Sequence, residues 1–206
     1  MVSLKIVCIM SSVRDGRMAE RMRNLIQKQF NEILTPKGHT IHFVDPEEYD
    51  LPVLKTPLHF YPDQSKAPEK LRNLNDIVIS ADAYIILTAE YNRSMPPALT
   101  NLINHLPPPS FEFKVSGMVG YSQGNLGGVM AMTAARPFLS EMGCLPVKHF
   151  VVIPYVQNEV KEDGTTANTH IHESIKKLLN QVEWWAQAAK TQRATGTPEL
   201  TFKMYR

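Results

Sequence analysis

The strongest constraint on this chain is an alternation of two hydrophobic periods that runs from residue 5 to residue 186. Short apolar runs at 5–10 and 83–87 read as buried strands, 115–121 and 147–153 read as further strands, and 39–44 alternates polar and apolar side chains as a less buried strand does. Between them, apolar residues recur at helical spacing. Met18, Met22, Leu25, Ile26, Phe30 and Ile33 fall on one side of a helix that Gly38 stops. Ser65 reads as the cap of a second helix, with Pro68 in its first turn, reaching towards Ser80. Pro96 and Pro97 open a third helix through His105. Gly127 opens a fourth that ends at Gly143, with Pro137 expected to kink it or shift its start. Ile171, Ile175, Leu178, Leu179, Val182 and Ala186 mark a closing helix.

Strands separated by helices imply a parallel sheet, because parallel neighbours need crossover connections. Right-handed crossovers then point to an α/β, three-layer, doubly wound sheet of five strands in the order 2-1-3-4-5. Strands two and five become the edges, in keeping with the alternation at 39–44. Ligands of such sheets bind beyond the carboxyl ends of the strands, at the switch point between the first and third. The loops after strands one, three and four are therefore where chemistry is expected.

The chain has 206 residues, the size of one domain. Lys plus Arg number 22 against 20 Asp plus Glu, a balance of +2 with no charged block, which argues against a nucleic-acid or membrane-surface partner. Cys8 and Cys144 stand far apart in apolar company, so a disulfide scaffold is excluded and reduced thiols in a cytoplasmic protein are expected. The N-terminus shows neither a signal peptide nor a membrane span, so the chain reads as soluble. Its 15 prolines are spread outside the runs read as strands, mostly in loops and first turns, and punctuate a fold rather than signal disorder. Four of them fall between Asp45 and Ser65, a loop long enough to suggest function, and its tip at His59, Phe60 and Tyr61 is a candidate substrate contact.

The loop after strand one, Ser11-Ser-Val-Arg-Asp-Gly-Arg17, runs straight into a helix. Hydroxyls and two arginines at a helix N-terminus make an anion cradle for phosphate; equally, a serine could simply cap the helix while the arginines face water. A dinucleotide turn would need G-x-G-x-x-G, and only Gly16 is present. Cys8 and Arg14 have the Cys-x5-Arg spacing of thiolate phosphatases. However, Ile9 and Met10 continue the strand, the intervening loop has no glycine, and Asp15 follows the arginine where a hydroxyl is usual. After strand three, Glu90, Tyr91 and Asn92 bring hydrogen-bonding groups and an aromatic ring to the switch point, and Ser94 with the prolines launches the next helix. After strand four, Ser122-Gln-Gly-Asn-Leu-Gly-Gly128 offers glycines for close approach to a flat ligand. His170 and His172 are two apart and point to different sides of a helix, so no metal site is expected there. Trp184 and Trp185 read as helix packing or as a contact to a second subunit.

These three segments resemble the NADPH-dependent FMN reductase family. Residues 11–17 are similar to its G-S-x-R-x-G-R loop, 90–104 to P-E-Y-N-x-S-x-P-x-x-L-K-N-x-I-D, and 122–128 to S-x-G-x-x-G-G; Glu183-Trp-Trp-Ala186 also looks like the family. The departures are Ser11 for Gly, Ala89 for Pro, Thr100 for Lys and Asn104 for Asp. The resemblance implies a flavodoxin-like FMN-binding domain over 1–192 with a tail at 193–206. It implies that Ser12, Arg14 and Arg17 grip the phosphate of non-covalent FMN, with Met18 near the ribityl chain. Glu90, Tyr91 and Asn92 would line one side of the flavin and Ser122, Gly124 and Asn125 the other. It further implies hydride transfer from NADPH or NADH to flavin, and thence to a quinone, azo, flavin or metal-oxyanion acceptor, in a homodimer with no catalytic side chain and no metal. A flavodoxin-type electron carrier is the alternative, although such carriers are usually strongly acidic.

Overall fold

The computed structural model describes residues 2–198. Five parallel strands, β1 (Lys5–Met10), β2 (Thr40–Val44), β3 (Ala83–Ala89), β4 (Lys114–Tyr121) and β5 (Cys144–Ile153), form one sheet in the order 2-1-3-4-5. The helices are α1 (Ala19–Ile33), α2 (Pro46–Tyr49), α3 (Glu69–Ile79), α4 (Pro97–Asn104), α5 (Val129–Glu141), α6 (Val156–Glu159) and α7 (Thr169–Thr195). This is the doubly wound sheet expected from the alternation, and the flavodoxin-like fold that the resemblance implies.

Register sorts the strand side chains into two cores. Ile6, Cys8, Met10, Ile85, Leu87 and Val119 face α1 and α7, while Val7, Ile9, Tyr84, Ile86 and Met118 face α3, α4 and α5. Each large side chain buried this way contributes on the order of 2 kcal/mol. Gly117 lets α7 lie close to β4: a Cβ there would stand 2.7 Å from Val182 Cγ2. The edge strand β2 keeps only Val44 fully buried.

Charged networks tie α7 under the amino ends of the strands. Buried Asp82 takes Lys190 Nζ at 2.8 Å and Arg193 at 3.2 Å, and accepts the Lys5 N–H at 2.9 Å. Buried His39 accepts the Leu4 N–H on Nδ1 at 3.1 Å, so its Nε2–H donates to Glu183 at 3.1 Å. The opposite end of the sheet carries the loops.

Several local expectations need correction. Ser65 does not cap α3: it sits in a separate 3-10 turn capped by Asp63, and α3 starts after Pro68. Pro97 opens α4, but Ser94 instead closes a tight turn with Tyr91 through paired backbone hydrogen bonds. α5 begins at Val129, after Gly127 and Gly128 at positive φ, and continues past Pro137. Pro146 lies inside β5, opposite Ser116 and next to a register shift; an edge strand tolerates the missing N–H. Trp184 and Trp185 do not pack into the core. They are 64% and 49% exposed and meet edge-to-face at 4.6 Å. α7 runs on to Thr195, into the expected tail, and residues 199–206 of that tail lie outside the described residues.

Candidate functional site

A cavity of about 390 Å³ opens at the carboxyl ends of β1, β3 and β4. Ser12, Arg14, Arg17, Met18, Glu90, Tyr91, Ser122, Gly124 and Asn125 all line it. Asn92 does not. It is exposed in the turn beyond Tyr91, at φ +50°.

The β1–α1 loop is held from both sides. Ser11 is fully buried, and its Oγ accepts the Ala89 N–H at 2.8 Å, which ties the end of β1 to the end of β3. Ser12 shares a hydrogen bond with the Tyr91 hydroxyl, and the Arg14 guanidinium stacks on the Tyr91 ring, 3.5 Å from its centre. Gly16 takes φ +66° to turn the chain into α1. No side chain caps α1, so its first-turn N–H groups have no side-chain acceptor.

Arg17 lines the cavity and is also heavily ion-paired. It donates to Glu20, to the Ser12 carbonyl and to both oxygens of Asp45, and it pairs with Glu47 at 2.7 Å. Those contacts occupy Nε, both hydrogens of Nη1 and one of Nη2 in hydrogen bonds, with Glu47 adding an ion pair. Burial disfavours its charge, but the hydrogen bonds to Asp45 and Glu20 outweigh this and push its pKa upward. Arg17 therefore braces the loop against α2 while lining the cavity beside Arg14, the less engaged of the two cations. Sequence reasoning overlooked Asp45 because the partner lies 28 residues away.

The other loops interlock around the cavity. Glu90 accepts the Met130 N–H at 3.0 Å and so caps α5 from the β3 loop. Ser122 Oγ accepts the Gly127 N–H at 2.9 Å and donates to the Gly124 carbonyl, shaping its own loop. Gly127 and Gly128 serve that internal packing rather than the ligand: a Cβ on Gly128 would lie 2.4 Å from Tyr121 N, whereas the space around Gly124 is open. Tyr121 and Val156 also line the cavity without having been expected. Tyr121 is the last residue of β4, a position the carboxyl-end rule singles out. Val156 follows β5, whose loop was not considered. Burial, with Tyr91 nearby, raises the pKa of the Tyr121 phenol.

Two other chemistries lose their basis here. Cys8 is fully buried in the middle of β1, and burial pushes its thiol far up, so no thiolate is available for phosphatase chemistry. His172 bonds Gln29 and the Thr166 carbonyl. The tip at His59, Phe60 and Tyr61 does not reach this cavity; Tyr61 lines a separate one.

Fold and site together define a flavodoxin-like domain with its cavity at the switch point of the sheet. A family model described as NADPH-dependent FMN reductase matches residues 4–158. The chain belongs to that family, whose cofactor pair is FMN with NAD(P)H. The 2-hydroxy-1,4-benzoquinone reductase of Burkholderia sp. is 21% identical over 191 residues, covering 90% of this chain and 98% of the relative. The NAD(P)H-dependent FMN reductase PA1204 of Pseudomonas aeruginosa is 27% identical over 124 residues, 58% of this chain and 67% of the relative. Among solved structures, the flavoenzyme NAD(P)H:acceptor oxidoreductase FerB of Paracoccus denitrificans superposes with a TM-score of 0.68 at 20% identity, covering 91% of this chain and 98% of FerB.

Proposed function

We propose that this protein binds FMN in the 390 Å³ cavity and passes reducing equivalents from NAD(P)H to a small quinone-class acceptor. The observation that carries the reading is the meeting of an uncapped α1 N-terminus, the Ser12 hydroxyl and the Arg14 cation at a cavity that Tyr91, Tyr121 and the open backbone at Gly124 also line. A phosphate at that meeting point finds N–H donors, a hydroxyl and a cation; a planar ring finds Tyr91 on one side and the open backbone at Gly124 and Asn125 on the other. The residues present therefore fit FMN. Bound FMN would supply the hydride-accepting ring, which explains why no protein nucleophile or acid–base pair is needed.

The chain's own residues bind, orient and exclude water. Arg14 supplies positive charge at the phosphate, and Arg17 holds the Ser12 backbone in place through its carbonyl. Met18 borders the ribityl path, and Glu90 fixes the α5 start so that the two loops keep their separation. The relative named for benzoquinone reduction supports a quinone acceptor. Two buried, unpaired thiols suit a cytoplasmic setting, and the exposed tryptophan pair on α7 suits a homodimer contact.

Purified protein is expected to be yellow, or to become so with added FMN, and to release flavin on denaturation. A protein that stays colourless with excess FMN overturns the reading. Anaerobic mixing with NADPH should then bleach the flavin within seconds. A flavin that neither NADPH nor NADH reduces would make the protein an electron carrier instead.

A further inference from the structure

We propose that a second cavity, of about 660 Å³, is a binding site for phenols. It shares no lining residue with the first and is walled by Tyr49, Leu51, Tyr61, Pro68, Leu71 and His105. The walls are held in place. The Asn101 side chain accepts the Leu54 N–H at 3.0 Å and donates to the Pro52 carbonyl at 2.9 Å, and Leu58 N–H donates to the His105 carbonyl at 2.9 Å. Asn101 of α4 and the residue after that helix thus shape the 46–61 segment into a wall.

The polar feature is His105, which is only 5% exposed. Its Nδ1 stands 2.8 Å from the Asn101 carbonyl, so Nδ1 carries the proton and donates along α4. With that proton on Nδ1, a ring carrying no second proton offers the Nε2 lone pair as an acceptor. No described residue hydrogen-bonds to Nε2, the atom is not sealed off, and His105 lines the cavity. A lone pair calls for a donor on the ligand. Lys55 and Lys70 at this cavity are balanced by Asp50 and Glu69, which favours a neutral molecule over an anion. Two tyrosine rings and aliphatic walls favour a flat apolar body. A neutral aromatic ring with one hydroxyl donor meets all three requirements, whereas a quinone, which only accepts, has nothing to offer Nε2.

The test uses the protein as purified, with histidine labelled with ¹⁵N, titrated with phenol and separately with anisole, which has the same ring but no donor. Phenol is expected to shift the His105 Nε2 resonance saturably and to bind roughly tenfold tighter than anisole or better, the effect of one buried hydrogen bond. His105→Phe should bind the two equally. A His105 signal unmoved by phenol, equal binding of phenol and anisole, or a phenol preference that survives in His105→Phe would each overturn the assignment. The two wild-type titrations decide the matter even where the variant fails to fold. Because the reporter is His105 itself, the outcome is separate from whether flavin is bound or turned over.

Discussion

The two arginines of the β1–α1 loop differ in what they hold, and so in what their removal should do. Arg14 rests on Tyr91 and faces the cavity. Arg14→Ala should weaken FMN binding by roughly tenfold or more, as expected for a charge-assisted contact, with stability within about 0.5 kcal/mol of wild type. Arg17 is the reverse case: its side chain is 9% exposed and that of its partner Asp45 is 6% exposed. Arg17→Gln leaves a buried carboxylate short of its partner and should cost about 3 kcal/mol in urea unfolding. Equal stability losses in the two variants would refute this division. A second pair at this scale is Ser11 and Ala89. Ser11→Gly leaves a buried N–H unpaired and should cost about 1 to 2 kcal/mol. Adding Ala89→Pro removes that N–H, so the double variant should be more stable than the sum of the singles. Additive costs would mean that the hydrogen bond does not join the two positions.

Among elements, the tightest constraint is the turn from β4 into α5. Gly128 combines φ +90° with backbone atoms inside 2.6 Å of where a Cβ would sit, and no side-chain rotation relieves that clash. Gly128→Ala should cost at least about 3 kcal/mol, while Gly124→Ala, in open space at ordinary φ, should leave the melting midpoint unchanged. A Gly128→Ala variant that melts with wild type would show the turn to be adjustable. The strands and long helices were legible in the sequence because a continuous apolar run or a 3.6-residue stripe is a local signal that the core then reinforces. What escaped was decided by distant partners. Ser65 has the chemistry of a cap, but Asp63 caps the turn that holds it. Pro146 looks like a strand breaker until β5 proves to be an edge. Trp184 and Trp185 could serve helix packing or a second-subunit contact, and only the orientation of α7 leaves them exposed. The candidate site was legible as a set of loops because the 2-1-3-4-5 order alone brings them together. The ion-paired state of Arg17 was not, since it depends on Asp45 at the far end of β2.

At the scale of the whole molecule, ionic anchors gather at the amino ends of the strands and the cavity at the carboxyl ends. Lys114 sits among those anchors, buried, donating to the carbonyls of Ile79 and Ser110 at 2.8 Å and to the Tyr84 hydroxyl at 3.1 Å. Burial, helped by the charge of Arg193, pulls its ammonium down from 10.5 to about 8. Between these values the unfolded chain holds the proton and the folded chain does not, so this site's contribution to stability rises with pH across that window. Burial also pushes the Cys144 thiol up to about 12, so an unfolded thiol ionises first and stability falls with pH above about 9. The difference between wild type and Lys114→Met isolates the lysine: wild type should gain on the variant by about 3 kcal/mol from pH 8 to pH 10.5. A difference that stays constant over that range would show that Lys114 keeps its charge. The hydrogen bond from Ala89 to Ser11 also orders a history. The resembling family pattern has glycine and proline at these two places, a pair that lacks both hydroxyl and N–H. Moving from that pair to this one through alanine first strands a buried N–H, whereas moving through serine first strands only a hydroxyl that can rotate. Ancestors of this chain are thus expected to have gained Ser11 before they lost the proline, and reconstructed intermediates that pair Ala89 with a glycine in place of Ser11 should be the least stable step on the path.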